Sequence, residues 1–179
     1  TLAILKAGRA YLAIHPAMPA QRQAEIVRDV APDLLLAAGN FQVRAAEVAS
    51  GICPVLLLDE IDGEPSPDPG GDPPALVEDP ARPSTIFYTS GSTGTPKGIV
   101  QSHGMRWPHV TRGAAYGYGP DTVTLVSTPL YSNTTLVVFL PSMAYGGTVH
   151  LMAKFDAAAY LRLAETLRVT HTMLVPVQY

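Results

Sequence analysis

A single cysteine, Cys53, stands in 179 residues. An internal disulfide is thereby excluded, and a reducing, cytoplasmic compartment is expected. No apolar run approaches the eighteen or so residues of a membrane-spanning helix, although apolar residues make up 47% of the chain. Basic residues are few and scattered: 12 Lys and Arg against 15 Asp and Glu, a formal charge of −3. Neither a nucleic-acid footprint nor a polybasic lipid-binding patch is present. Metal-site spacing is also missing. His103 and His109 lie six apart, wrong for two ligands on one helix face, and His150 and His171 read as structural histidines on strands. Cys53 precedes Pro54 in an apolar run with no basic neighbour, so it reads as a small core residue rather than a nucleophile. No internal repeat stands out.

The chain has no initiator methionine and no charge, apolar-run and small-residue pattern of a secretory signal; it opens on Thr1 and stops at Val-Pro-Val-Gln-Tyr. Both ends are therefore expected to be cuts within a larger domain. The length suits one domain, which if complete would bury about 70% of its unfolded surface.

What is present in force is one stretch, Tyr88 to Gly98, reading Y-T-S-G-S-T-G-T-P-K-G. It gathers the hydroxyls of Thr89, Ser90, Ser92 and Thr93, three glycines (Gly91, Gly94 and Gly98) and Lys97. Glycines let backbone N–H groups approach an anion closely, successive amides form a concave nest, and hydroxyls rotate to meet several oxygens. Lys97 adds a mobile charge, and a hydrogen bond to a charged group contributes about 1.5–3 kcal/mol. The stretch is a phosphate cradle by composition. It is not a Walker loop: with the pattern begun at Gly91, Pro96 replaces the second glycine and Gly98 the magnesium-binding hydroxyl.

The stretch resembles the signature loop of the AMP-forming adenylating enzymes, which include acyl-CoA synthetases, nonribosomal peptide adenylation domains and beetle luciferases. Every fixed position of that pattern is met: the aromatic, then Thr-Ser-Gly-Ser-Thr-Gly, one residue, and Pro-Lys-Gly. A second segment is similar to one the same superfamily carries upstream: Leu5-Lys6-Ala7-Gly8-Arg9-Ala10-Tyr11, then His15-Pro16, Pro19 and Arg22. Arg9 stands there for a small residue and His15 for the usual Asp or Asn. This segment reads as scaffold.

Periodicity supplies the elements in order. Leu2–Ala7 reads as the end of a helix capped by Gly8, and Tyr11–Ile14 as a short strand. Ala20–Ala31 is apolar at helical spacing until Pro32. Leu34–Ala37 and Val55–Leu58 read as strands around a helix at Phe41–Ala49. Residues 59–82 hold eight of the fifteen acidic residues, with five prolines between Pro65 and Pro74; they read as an exposed connection rather than a metal loop. Thr85–Tyr88 enters the phosphate stretch as a strand and Ile99–Gln101 leaves it, with Ser102 capping a helix from His103, where helix packing is the expected role of His103. Thr122–Ser127 reads as a strand and Thr135–Ala144 as a buried helix kinked at Pro141. Thr148–Met152 is a strand after Gly146-Gly147, followed by a helix capped by Asp156, a last strand at Thr170–Val175, and a helix opened by Pro176. Strands alternating with helices predict an α/β class with parallel pairing. The resemblance makes the whole chain, 1–179, a partial AMP-binding N-terminal domain, with no C-terminal domain.

The resemblance further implies the activity: ATP and a carboxylic acid give acyl-AMP and pyrophosphate, and a thiol, usually that of coenzyme A, displaces AMP. Thr89, Ser90, Gly91, Ser92, Thr93, Gly94 and Lys97 would hold ATP. Magnesium is implied, but the family's magnesium-binding glutamate, ribose-binding aspartate and catalytic lysine belong to segments beyond Tyr179, so no catalytic residue is assigned within the chain. Tyr131, Ser132 and Asn133 fall where substrate class is written. Amino-acid adenylation domains carry an aspartate at the position of Ser132, and an ammonium buried without it would cost several kcal/mol. Acyl- and aryl-CoA ligases carry histidine there. A small-molecule carboxylic acid, fatty or aromatic, is the expected substrate, with coenzyme A as acceptor. The alternatives are an adenylation domain loading a carrier-protein thiol and a non-catalytic phosphate-binding piece.

Overall fold

The computed structural model describes residues 1–61, 79–89 and 97–178, the Thr89 side chain excepted. The chain begins with α1 (Leu2–Lys6), β1 (Tyr11–Leu12), α2 (Ala20–Val30) and β2 (Leu35–Ala37). α3 (Gln42–Ala49), β3 (Val55–Leu57) and α4 (Leu58–Ile61) follow, then β4 (Pro83–Thr89), β5 (Lys97–Ser102) and α5 (His103–Thr111). The chain continues through β6 (Val123–Val126), α6 (Asn133–Ala144), β7 (Thr148–Leu151), α7 (Ala157–Thr166) and β8 (His171–Thr172). The alternation is the α/β pattern expected. It divides into two compact units, one of Thr1–Ala13, Leu76–Phe87 and Gly98–Tyr179, the other of Ile14–Ala75 and Tyr88–Lys97.

In the first unit α1 ends as Gly8 predicts. Gly8 takes φ +72°, its N–H donates to the Leu5 carbonyl and the Arg9 N–H to the Ile4 carbonyl, both at 3.0 Å, which closes a Schellman motif. β1 pairs parallel with β4, Tyr11 opposite Thr85 and Leu12 opposite Ile86. The strand expected over Tyr11–Ile14 stops at Leu12, where this ladder ends. Tyr11, Phe87 and Leu136 form a core with Ile4, Leu5, Phe139 and Leu140 packed around it.

The second sheet of this unit is parallel throughout, with β6 between β7 and β8. Both faces of β6 are covered, which leaves Thr124 and Leu125 at 0% exposure and explains a strand without polar alternation. Buried hydroxyls tie α6 to it. The Thr124 hydroxyl meets Ser142 Oγ at 2.6 Å, and Ser142 donates in turn to the Val138 carbonyl at 2.7 Å. α6 remains one helix through Pro141. Gly147 follows it because a Cβ there would lie 2.8 Å from the Thr122 side chain and 3.0 Å from its carbonyl oxygen. α7 is capped as expected, Asp156 Oδ1 accepting from the Ala159 N–H at 2.7 Å. Its Tyr160 donates to Thr172 Oγ1, which donates to the Leu125 carbonyl. The last strand is shorter than Thr170–Val175, pairing only at His171 and Thr172.

In the second unit β2 and β3 pair parallel over Leu35–Ala37 and Val55–Leu57. α2 packs on α3 through Ile26 and Val27 on one side and Ala45, Val48 and Ala49 on the other, all buried. Gln23, also buried, reaches from α2 to the carbonyls of His15 and Pro16 at 3.1 and 3.3 Å. His15 Nδ1 accepts from the Ala17 N–H at 3.1 Å, the bond an Asp or Asn makes in an Asx turn, so the replacement preserves the turn. Leu58, expected to end a strand, instead opens α4, where Asp59 Oδ2 accepts from the Gly39 N–H. Residues 62–78 of the acidic stretch lie outside the described residues. Among the described residues no helix is long and apolar enough to cross a membrane.

Candidate active site

β4 and β5 frame the phosphate stretch. The His103 N–H donates to the Arg82 carbonyl at 3.0 Å and Ser84 Oγ to the Gln101 carbonyl at 2.9 Å, so partner numbers fall as strand numbers rise and the two neighbours form an antiparallel hairpin. Thr89 ends β4 and Lys97 opens β5, each strand running further than expected. Lys97 is exposed and has no ion-pair partner among the described residues. Ser90, Gly91, Ser92, Thr93 and Gly94 fall outside the described residues.

Side chains alternate along β4. Thr85 and Phe87 are buried, and Tyr88 leaves by the other face, where its hydroxyl donates to Asp29 Oδ2 on α2. Burial first, and then the hydrogen bond and negative charge of Asp29, push the Tyr88 phenol up to about 12. It is protonated at neutral pH and acts as a donor.

Tyr131, Ser132 and Asn133 occupy the passage from β6 into α6, in the first unit. Two buried hydroxyls hold this passage. Thr135 Oγ1 donates to the Pro129 carbonyl at 2.6 Å and accepts from Thr128 Oγ1 at 2.7 Å. Pro129 also accepts from the Ser132 N–H at 2.9 Å. Tyr131 and Asn133 are exposed and Ser132 is half-buried as the N-cap of α6, its side chain making no capping bond. The N-terminus of this twelve-residue helix carries partial positive charge. It favours a polar or anionic group and disfavours an ammonium.

His103 opens α5 behind Ser102, whose Oγ accepts from the Met105 N–H at 3.2 Å. Burial, and then the charge of Arg82, hold its imidazole below the usual histidine range, so it is neutral and packs the helix as expected. His171 Nε2 faces the Tyr116 carbonyl at 2.9 Å and so carries the proton, while Nδ1 meets Thr170 Oγ1 at 2.8 Å. Both nitrogens are occupied, which fits a structural histidine. Cys53 is a free, half-buried thiol that burial pushes up.

Three features escape the sequence patterns: the Tyr88–Asp29 bond, the paired threonines, and Arg106. Arg106 is 6% exposed, lies 5.2 Å over the Phe87 ring, and leaves Nε and Nη2 buried without acceptors among the described residues. Thr128 and Thr135 are seven apart, a spacing that had no meaning until the loop between them closed.

A hydroxyl- and glycine-rich sequence between two strands of an α/β frame leads to the family: the AMP-binding enzyme model matches residues 1–179. The chain belongs to the AMP-binding enzymes. Phosphinothricin tripeptide synthetase PhsB of Streptomyces viridochromogenes is 35% identical over 84% of this chain and 12% of its own length. Among solved structures, ATP-bound MatB of Rhodopseudomonas palustris superposes with TM-score 0.84 at 24% identity, over 99% of this chain and 36% of that one. The o-succinylbenzoate CoA synthetase MenE of Bacillus subtilis, in complex with its acyl-adenylate intermediate, gives TM-score 0.80 at 22% identity, over 98% and 45%. The chain thus spans about an eighth of the curated relative and less than half of either solved chain.

The donor set suits a triphosphate: hydroxyls and glycines between two strands, with a cation at the exposed start of β5. Among the described residues no group of His, Cys, Asp and Glu could hold a metal ion, so none is assigned to magnesium.

Proposed function

We propose that this chain is the ATP-binding part of an enzyme that activates a carboxylic acid as acyl-AMP, with release of pyrophosphate, and then passes the acyl group to coenzyme A. The observation that carries the reading is the hairpin in which Thr89 closes one strand and Lys97 opens the next around the family's full signature. Thr89, Ser90, Gly91, Ser92, Thr93, Gly94 and Lys97 grip the pyrophosphate end of ATP. Charge grows there as the bond to the α-phosphate breaks, and fixed donors accelerate the step when they bind that charge more tightly in the transition state. Magnesium bound with ATP supplies further neutralising charge. Tyr131, Ser132 and Asn133 line the acid's position, and a fatty or aromatic acid that carries no ammonium suits the α6 N-terminus, which has Ser132 where an ammonium would need a carboxylate. A cytoplasmic location accords with the lone cysteine.

One observation favours a second reading. A tripeptide synthetase is 35% identical to this chain, which supports an adenylation domain that loads an amino acid onto a carrier-protein thiol. The acid preference separates the two. Exchange of labelled pyrophosphate into ATP by the full-length protein tests the reading they share. Lys97→Ala should slow that exchange about 10- to 150-fold, the equivalent of one hydrogen bond to a charged group. Exchange at the unmutated rate would remove Lys97 from this role.

A further inference from the structure

Asp29 sits where a carboxylate does not help its own helix. It lies in the last turn of α2, next to the partial negative charge of the helix C-terminus, which disfavours a carboxylate there. Its partner is 59 residues away: the Tyr88 hydroxyl, on the residue that precedes Thr89 and the phosphate stretch. The helix that carries Asp29 is firmly held. Ile26 and Val27 are buried against α3, Gln23 binds the carbonyls of His15 and Pro16, and α2 ends in Ala31 at φ +44°, a left-handed conformation that a non-glycine residue adopts only under surrounding constraint. Tyr88 lies in the same compact unit as α2.

We propose that Asp29 is a positioning residue for ATP: by accepting the Tyr88 hydrogen bond it ties the outgoing end of β4 to α2 and fixes the direction in which Thr89 enters the phosphate-binding stretch. The proposal rests on the functional reading above. Loss of the tie does not remove a phosphate ligand; it lets the strand end move, and displacements of about 1 Å at a reacting group cost up to 10²-fold in rate. Asp29 and Tyr88 act as one unit, so their substitutions are coupled rather than additive. An asparagine at 29 keeps an acceptor oxygen for the phenol and rescues in part.

The experiment uses the full-length protein, with pyrophosphate exchange at varied ATP and varied acid, and with equilibrium binding of ATP. Asp29→Ala and Tyr88→Phe should each lower exchange about ten-fold, weaken ATP binding, and leave the KM for the acid unchanged. The double variant should be no worse than either, and Asp29→Asn should recover part of the loss. Additive losses, or losses of thermal stability alone with unchanged exchange and ATP affinity, overturn the positioning role while the functional reading stands. If the unmutated protein neither exchanges pyrophosphate nor binds ATP, the functional reading falls and takes this role with it.

Discussion

Replacing Thr135 by valine removes one hydroxyl and keeps the shape of the side chain. Thr135 is fully buried, and its hydroxyl both donates to Pro129 at 2.6 Å and accepts from Thr128 at 2.7 Å. The Pro129 carbonyl keeps its second donor, the Ser132 N–H, so it is not orphaned. Thr128 is: this residue is 9% exposed, and its hydroxyl loses its acceptor. Two hydrogen bonds at about 0.5–1.5 kcal/mol each, with part of the desolvation cost of one buried hydroxyl, amount to about 2 kcal/mol. That corresponds to about thirty-fold in a local opening equilibrium. Hydrogen exchange on peptides spanning residues 128–136 of the full-length protein reads it directly, because the amides of Ser132 and Thr135 donate to the carbonyls of Pro129 and Ser132 in the same turn. Both amides should exchange about thirty-fold faster in Thr135→Val and near the unmutated rate in Thr135→Ser. The double variant Thr128→Val/Thr135→Val should lose less than the sum of the singles, since no hydroxyl is then stranded. Unchanged exchange in Thr135→Val would refute the claim that these hydroxyls hold the candidate acid-binding turn.

Arg106→Met should stabilise the protein by about 1–3 kcal/mol, because a well-packed apolar chain replaces a buried charge whose Nε and Nη2 lack acceptors among the described residues; thermal unfolding checks it, and a lower melting temperature would contradict it. Gly147→Val should destabilise by about 1–3 kcal/mol through overlap with Thr122, seen as faster unfolding in urea; wild-type resistance would contradict the close approach. The Tyr88 phenol, pushed from 10.0 to about 12, holds its proton longer in the folded chain than in the unfolded one. Its contribution to stability is whole below pH 10 and is lost as pH rises through about 12. Tyr88→Phe should therefore flatten the alkaline fall in stability across that window, and an identical fall in both proteins would show that the phenol titrates normally.

Most elements were legible because their signals are local. Gly8 needs only its own φ to cap α1, Ser102 and Asp156 cap the helices that follow them, and the spacing of Ile26 and Val27 marks the buried face of α2. The short strands β1 and β8 were overestimated because an apolar run does not say where its ladder partner ends. α4 was missed because Leu58 continues the apolar run of β3 while Asp59 turns back to the Gly39 amide. The site's support was the least legible part. Asp29 and Tyr88 are separated by 59 positions, and nothing in either neighbourhood signals the other. Arg106 sits in a helix of mixed character, where a charged residue reads as solvent-facing, and only the packing over Phe87 shows it buried.

Mass-spectrometric detection of the acyl-adenylate decides whether the full-length protein activates a carboxylic acid, and which one. The full-length protein would be incubated with ATP, magnesium and a mixture of fatty, aromatic and amino acids, then with coenzyme A. The expected product is an AMP adduct of a fatty or aromatic acid that is converted to its CoA thioester. An aminoacyl-AMP that persists with coenzyme A would contradict the substrate and acceptor proposed, and absence of any adenylate would contradict the reaction itself.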